Sequence, residues 1–524
     1  MLLRPAGWYS VFAGPVGLSI LVCLGGCAVG PNFVSPKAPD VNSYTPQQIT
    51  KIGGVRLSPS EEVPQLWWET FHDRNLNRLI EVAIARNPGL QSAEAATRVA
   101  FYNAESQKGV LLPSLGGQSN NSWNGQSPVM QAVSPNGPTN PYALYLQQLS
   151  VSYTLDIWGG NRRTIESLEA QTDQQRYQLE AAYLALTSNI ASGAINEAMT
   201  RGEAEAIRAV LKEGRDLLVI LRKQYAIGAM AETDVLEQEA LLAQDEQLLP
   251  PLEKQLAIQR DQLVALVGEY STAAVPETFH LRALTLPRDI PVTVPSQFVR
   301  QRPDVRAAEA NLHSASAQIG VAIAARLPNV TLSATPGVQG YTWASLFTPS
   351  TQFYTLAADA TQPLFDGFSL ANKQKAAEEG LKEADAQYRQ SLITAFQNVA
   401  DALHSLQADT KAVAAAAHSE QVARKQLDIV KKQLSVGSVS TLTVLNAEQV
   451  YLQALVTHVQ TEGARLGDIV GLFMALGGGW KDENLKDLPP EGPQAPTKEE
   501  ITKIEGPVNA TLLPTIPKLT FTPF

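Results

Sequence analysis

Residues 145–168 read YLQQLSVSYTLDIWGGNRRTIESL and change periodicity at one glycine pair. Up to Ile157, apolar side chains alternate with Gln, Ser, Thr and Asp, which predicts a β-strand with one apolar and one polar face. From Asn161 onward the chain is rich in Ala, Leu, Glu, Gln and Arg, which predicts a helix to about Tyr225. The stretch therefore predicts a strand that leads directly into a helix of ~65 residues, on the order of 100 Å long.

The same order of segments occurs twice along the chain. The dipeptide Leu-Pro at 112–113 recurs at 327–328, and KQYAIG at 223–228 recurs as KQLSVG at 432–437. A duplication of this length is too long for a solenoid repeat. It predicts two similar substructures, a first repeat over 67–285 and a second over 286–480.

Proline placement predicts the long helices. There are 33 prolines among 524 residues, yet 142–249 and 364–488 contain none. Because an internal proline costs a helix ~3 kcal/mol, each gap is expected to hold uninterrupted helices. The predicted helices are 161–225, 233–267, 369–434 and 441–476. Each repeat thus holds a long antiparallel hairpin, and its apolar stripe favours coiled-coil packing; an ordinary helical bundle is the alternative.

Four strands of ~10–12 residues are predicted, in hairpins over about 114–157 and 329–365. This length suits transmembrane barrel strands, which need ~9–11 residues. Four strands cannot close a barrel, and in lipid every backbone group must be paired. The prediction is an α+β membrane protein in which three copies share one twelve-stranded β-barrel. A soluble four-stranded sheet covered by helices is the alternative.

The N-terminus resembles a lipoprotein signal. Residues 1–26 contain a charged start, a short apolar stretch and the sequence LGGC over 24–27, which resembles the bacterial lipobox. Cys27 would then carry the lipid anchor; a plain signal with an incidental cysteine is the alternative. The Pro-rich segment 27–66 is expected to be an extended tether, and 481–524 a Pro-rich tail.

Composition and motifs argue against several other classes of protein. The net charge is −10 and only 18% of residues are charged, so a nucleic-acid binder is not expected. The six histidines form no His-Glu-x-x-His pattern, and neither a Gly-x-Ser-x-Gly elbow nor a phosphate loop is present. We therefore predict no catalytic residue, no metal site and no cofactor.

Four motifs resemble the outer-membrane efflux factor family, the TolC-like channels and NodT-type lipoproteins of RND drug-efflux systems. They are GGCAVGPNF at 25–33, WWETFHDRNL at 67–76, LDIWG at 155–159 and PLFDG at 363–367. The resemblance covers roughly residues 20–480. It implies a homotrimeric duct with a shared outer-membrane barrel, a long helical tunnel in the periplasm, and strand–helix junctions at Gly159, Pro363 and Gly367.

The resemblance also implies partners and a mechanism. A periplasmic adaptor and an inner-membrane RND-type pump would dock at the helical tip, and the pump would supply the energy for export of small toxic molecules. A duct of the same fold for protein secretion is one alternative. A lipid-anchored periplasmic coiled-coil scaffold without a pore is the other.

The family pattern places functional residues in the turns between the long helices. An adaptor-contacting Gly-x-x-Ser/Ala pattern is matched by Gly228 with Ala231 and by Gly437 with Ser440. The periplasmic gate would include Leu442 at the usual apolar position and Asn446 where aspartate is usual. A neutral amide cannot form an anionic ring, so cation selectivity at this ring is in question. Simple turn glycines and a solvated Asn446 are the alternatives.

Overall fold

The computed structural model describes residues 28–480, except for 42, 48, 50, 53–54, 59–62, 126, 128–140, 274–276, 288 and 293–300. The predicted signal segment, the lipidation residue Cys27 and the tail 481–524 lie outside the described residues, as does most of the connection after the first predicted strand.

Helices dominate the described part of the chain. The two longest have 67 residues each and occupy the two proline-free stretches. Among the described residues, the helices of eight residues or more are α1 (Arg74–Arg86), α2 (Pro88–Lys108), α3 (Gly160–Ala226), α4 (Glu232–Glu246), α5 (Leu249–Val267), α6 (Pro303–Ala324), α7 (Ser369–Ser435) and α8 (Thr441–Ala475). No helix among these residues combines the length and the apolar character needed to cross a bilayer.

The second arm of the first helical hairpin differs from the prediction. A single helix was expected over 233–267, but the structure has α4 and α5, with a break at residues 247 and 248. The cause is the pair Pro250 and Pro251, which lack backbone N–H groups and lie in the first turn of α5, where no donor is needed. The second repeat has no proline there, and α8 is continuous.

The part of the chain that the structure describes forms two sheets. A small sheet joins the N-terminal segment to the start of the second repeat, through β1 (Lys51–Ile52), β2 (Val55–Ser58) and β5 (Asp289–Pro291). The larger sheet is antiparallel, in the order β3 (Ser114–Asn124), β4 (Tyr142–Leu155), β6 (Asn329–Gly340) and β7 (Gln352–Thr361). β7 ends before the predicted residue 365, because Pro363 has no N–H group for a ladder.

The WWETFHDRNL motif forms the start of the main core. Trp67 and Phe71 are fully buried, and the Trp67 ring stacks on Phe473 of α8 with centroids 5.4 Å apart. Asp73 caps α1, because its Oδ1 accepts hydrogen bonds from the backbone N–H groups of Asn75 and Leu76 at 2.7 and 2.9 Å. The motif therefore joins the first helix to the last one.

The described residues of the Pro-rich segment form no helix before Trp67, but the segment is not a free tether. Residues 28–36 lie against α3 and α6.

Candidate functional site

The turns between the long helices have nearly the same backbone in both repeats. Gly228 has φ of +72° and Gly437 has φ of +73°, and the N–H of each donates to the carbonyl three residues earlier, at 2.9 and 3.0 Å. The next helix begins after Ala231 or Ser440, both with φ of −80°. A left-handed residue after a helix end favours glycine, so the turn alone explains both glycines.

The structure brings the two turns together at one end of the helices. Met230 from the first turn and Val439 from the second pack against the same apolar cluster, which includes Leu221, Val235 and Val444. The four residues of the predicted adaptor-contact surface, Gly228, Ala231, Gly437 and Ser440, are all exposed. No atom lies within 4 Å of a Cβ built on either glycine, so the space beside them is open.

The predicted gate residues lie in the first two turns of α8. Leu442 and Asn446 are four residues apart, on one face of the helix, and both are exposed. Leu442 keeps 54% of its surface exposed although it is apolar. On the opposite face, Val444 and Glu448 are buried.

A polar network, which we call the inter-hairpin network, joins the two hairpins further from the tip. Glu213 of α3 accepts from Arg424 Nη1 at 2.7 Å and from Lys431 Nζ at 2.9 Å, both on α7. Lys431 also lies 3.4 Å from Glu448 Oε1 on α8. None of these four residues has a role predicted from the sequence. A signal was present, because Glu448 interrupts an apolar stripe that includes Val444 and Tyr451.

The two carboxylates of this network have different electrostatic environments. Burial raises the pKa of Glu448, and Lys431 opposes that rise. Burial also acts on Glu213, but the hydrogen bonds from Lys431 and Arg424 outweigh it and hold the pKa of Glu213 below its usual range. Glu213 is thus the stable anionic partner of both cations, whereas ionised Glu448 is disfavoured.

Over the part of the larger sheet next to the helices, the register gives one apolar and one polar face. Val151 lies opposite Leu115 and Ala334, and Tyr153 lies opposite Leu332. Thr154 on the other face lies opposite Thr331, which pairs with Asp359. The apolar face carries Leu115, Val151, Tyr153, Leu155, Val330, Leu332 and Leu356, and the polar face carries Ser114, Ser152, Thr154, Thr331, Ser333 and Asp359.

Both strand–helix junctions use an aspartate cap and a left-handed residue. Asp156 Oδ1 accepts from the N–H of Asn161 at 2.9 Å, and Gly159 has φ of +73°. In the second junction Asp366 accepts from the N–H of Leu370, and the left-handed residues are Gly367 and Phe368. Pro363 and Gly367 are exposed there, whereas Gly159 is buried.

Arg163 holds the N-terminal segment beside the first junction. Its side chain is 3% exposed, and its guanidinium donates to Val29 O at 3.1 Å, Gly30 O at 3.3 Å and Asn32 Oδ1 at 2.7 Å. The N–H of Val29 donates to Trp158 O at 3.0 Å. This arrangement places the residues that follow Cys27 at the base of the larger sheet.

Two further contacts fix the same segment. The Phe33 ring stacks on His313 of α6, with centroids 4.4 Å apart and an angle of 15° between the planes. A Cβ built on Gly30 would lie 2.5 Å from Gly320 Cα, so the N-terminal segment and α6 approach each other backbone to backbone. Arg163 and Gly320 were not predicted from the sequence, because the residues that they contact lie far away in the chain.

The model of the outer membrane efflux protein family matches residues 79–269 and 294–478. The chain belongs to the outer membrane efflux protein family. The family predicted from the sequence motifs is therefore confirmed, and with it an efflux function at the outer membrane.

Relatives of this efflux protein match over most of their length. It is 28% identical over 440 residues to the pyoverdine export outer membrane protein OpmQ of Pseudomonas putida, covering 82% of this chain and 91% of the relative. It is 26% identical over 464 residues to nodulation protein T of Rhizobium leguminosarum bv. trifolii, covering 87% and 95%. Among solved structures, the outer membrane protein VceC of Vibrio cholerae matches at 27% identity with a TM-score of 0.74, over 80% of this chain and 100% of that chain.

Proposed function

We propose that this efflux protein is the exit duct of a tripartite efflux system, assembled as a homotrimer with a shared twelve-stranded β-barrel. The strands of three copies would form the barrel, and their long helices would form the tunnel below it. The duct is passive, and an inner-membrane RND-type pump supplies the energy through a periplasmic adaptor.

The two-faced sheet is the observation that carries this proposal. Among the described residues, β3 and β7 each pair with a single strand, and both faces of the sheet are largely uncovered. In lipid an open edge leaves backbone groups unpaired, at several kcal/mol each, so such a sheet must close with other strands. Further copies of the chain supply strands of the right length. An apolar face toward lipid and a polar face toward the lumen suit a barrel wall.

The paired turns support a docking tip. Gly228 and Gly437 present open space beside left-handed backbone, and Ala231 and Ser440 add small exposed side chains. A partner helix could approach this surface closely. Leu442 and Asn446 follow directly, on an exposed face of α8, and we propose that they line the closed end of the tunnel.

We also propose the class of cargo and the position of a lipid anchor. The relative OpmQ is named for export of pyoverdine, and others for solvent or toluene efflux, so small organic molecules are the proposed cargo.

The contacts of Arg163 support a lipid anchor at Cys27, because they hold the adjoining residues beside the strands proposed to enter the membrane.

The test combines particle mass with conductance of the full-length protein extracted in detergent. Native mass spectrometry is expected to give a trimer, and planar bilayers are expected to show discrete channels when the trimer is added. A monomer without conductance would refute the duct and favour the periplasmic scaffold. Loss of small-molecule resistance in a deletion strain, with protein secretion unchanged, separates efflux from a secretion duct.

A further inference from the structure

The two long helical hairpins correspond to each other position by position. The first hairpin consists of α3, α4 and α5, and the second of α7 and α8. The offset between them is 209 throughout, from Gly160 and Ser369 at the start to Gly268 and Gly477 after the last arm. Each residue of one hairpin can therefore be compared with its counterpart in the other.

The counterparts differ in charge where the two arms of each hairpin meet. At three positions the first hairpin has leucine and the second has a titratable residue, so that Leu211, Leu249 and Leu256 correspond to Glu420, His458 and Arg465. Leu211 is buried in an apolar cluster, and Leu249 packs against the same cluster. The second hairpin thus has charged groups where the first has apolar side chains.

His458 of α8 lies between two carboxylates. Its Nδ1 is 2.6 Å from Glu420 Oε2 on α7, and its Nε2 is 3.5 Å from Glu462 Oε1, one turn further along α8. The side chains of His458 and Glu420 are both largely buried, so water and salt screen this pair only in part. A protonated imidazole has an N–H group on each side and a positive charge, whereas a neutral one has a single N–H group and no charge.

A contact between two aspartates lies further along the same helices. Asp468 of α8 faces Asp409 and Ser405 of α7. Burial raises the pKa of Asp468 to about 6, the hydrogen bond and the charge of Asp409 add to this rise, and Ser405 opposes it. Arg465 lies one turn before Asp468. Burial lowers the pKa of Arg465, and the charges of Glu462 and Asp409 oppose that change.

The groups that join the two arms of the second hairpin have an excess of acids. We call them the titratable seam, which consists of Asp409, Glu420, His458, Glu462, Arg465 and Asp468. Four of the six are carboxylates, and one is a permanent cation. The seam is therefore short of positive charge at neutral pH, and it can gain that charge, or lose negative charge, by taking up protons.

Neighbouring elements do not supply the missing positive charge. From α3, Glu203 hydrogen-bonds Gln460 beside the seam, and burial raises the pKa of Glu203. Arg302 and Asp304 line the same cavity as Asp468, together with Asp401 of α7. The Arg302 guanidinium is held by Asp304 at 2.5 Å and donates to Ala475 O at 2.9 Å. The groups around the seam thus favour proton uptake as well.

We propose that the titratable seam is a pH-responsive clamp in the second hairpin. Protons taken up at mildly acid pH tighten the contact between α7 and α8, and their loss at alkaline pH loosens it. The first hairpin does not respond, because leucines occupy the counterpart positions. Since α8 begins with the proposed gate residues Leu442 and Asn446, the pH-sensitive hairpin is the one that carries them. The clamp acts within one copy of the chain, so it stands or falls independently of the proposed duct.

Both protonation steps act in the same direction. A proton on His458 creates a charge that Glu420 and Glu462 attract, and a proton on Asp468 removes its repulsion from Asp409. Because the pKa of Asp468 rises from 3.8 to about 6 on folding, the stability from its proton is lost as the pH rises through about 6. Between pH 5.5 and 8.0, Asp468 alone changes the opening equilibrium of the hairpin about fourfold.

Hydrogen exchange of the full-length protein in detergent tests the clamp, measured by mass spectrometry at pH 5.5 and 8.0. Each rate is divided by the intrinsic exchange rate at that pH. Peptides from residues 455–470 are expected to be about fourfold better protected at pH 5.5. Peptides from the counterpart residues 246–261 are expected to be equally protected at both. Equal protection of residues 455–470 at both pH values, or the same change in both hairpins, would overturn the inference.

The first repeat supplies the residues for a matched variant. Glu420→Leu/His458→Leu/Asp468→Gln gives the second hairpin the counterparts Leu211, Leu249 and Gln259. We expect residues 455–470 of this variant to have the same protection at pH 5.5 and 8.0. A variant that keeps the wild-type pH response would show that the seam is not its source.

A milder variant covers the case in which the triple change prevents folding. His458→Gln/Asp468→Asn keeps polar side chains of similar size and removes both titrating groups. Its protection is expected to lose the pH response, while its thermal unfolding at pH 5.5 stays cooperative. A folded protein of this kind that still gains protection about fourfold at pH 5.5 would overturn the clamp.

Discussion

Gly320 is a sensitive test of how the N-terminal segment is held. A Cβ added there would lie 2.7 Å from Val29 O and 2.7 Å from Arg163 Cγ, both inside van der Waals contact. Gly380, in the second long helix, has no atom within 4 Å of the same added carbon. Gly320→Ala and Gly380→Ala therefore make the same chemical change in a helix, once against the N-terminal segment and once in open space.

The expected magnitudes follow from these contacts. Alanine gains about 1 kcal/mol over glycine inside a helix, so Gly380→Ala should stabilise the protein slightly. At Gly320 the methyl group must displace the segment or Arg163, which costs about 1–3 kcal/mol of overpacking. Release of the segment would also remove the Val29–Trp158 bond and three Arg163 bonds, at about 1 kcal/mol each. We expect a net loss of about 2 kcal/mol at this site.

Hydrogen exchange measured by mass spectrometry on residues 28–36 is the assay. A loss of about 2 kcal/mol corresponds to about thirtyfold faster exchange of these amides. Gly380→Ala should leave their exchange unchanged. Equal exchange of these amides in both variants would refute the close backbone approach at Gly320. It would also refute the conclusion that this contact holds residues 28–36 in place.

Three further predictions concern the helical end of the molecule. Burial raises the pKa of Glu448, so the folded protein is more stable when Glu448 is protonated, at acid pH. This stability is lost as the pH rises through the folded-state pKa of Glu448. Glu448→Gln should therefore raise the melting temperature at neutral pH by a few degrees and weaken the dependence of the melting temperature on pH. Lys431 keeps Glu213 as a partner in this variant. A lower melting temperature would contradict the prediction. Gly437→Ala should cost about 1 kcal/mol through its positive φ alone, measured by thermal unfolding, and a neutral effect would argue against the left-handed turn. Asn446→Asp should increase cation selectivity in planar bilayers, and unchanged selectivity would remove Asn446 from the gate.

Much of the fold could be predicted from local signals. The helix predicted over 161–225 is Gly160–Ala226, and the one predicted over 369–434 is Ser369–Ser435. Proline gaps and helix-forming composition act within a few residues, so their effect can be predicted from the sequence alone. The break between α4 and α5 was equally local, since Pro250 and Pro251 mark it in the sequence.

Within the candidate site, the turn glycines have the clearest local signal. Gly228 and Gly437 carry a local signal, because a left-handed turn after a helix favours glycine whatever surrounds it. The inter-hairpin network has a weaker local signal. Glu448 on an apolar stripe is visible in the sequence, but its neighbours Lys431 and Glu213 come from other helices.

The sequence by itself determined the elements of this protein: two repeats, each with a β-hairpin and a long helical hairpin, joined at capped junctions. Those features depend on periodicity and backbone preference, which act over a few neighbouring residues. Only the tertiary structure decided that Arg163 holds the N-terminal segment and that the second junction stays exposed while the first is covered. Such contacts depend on which surfaces meet, and two surfaces more than a hundred residues apart leave no periodic trace in the chain.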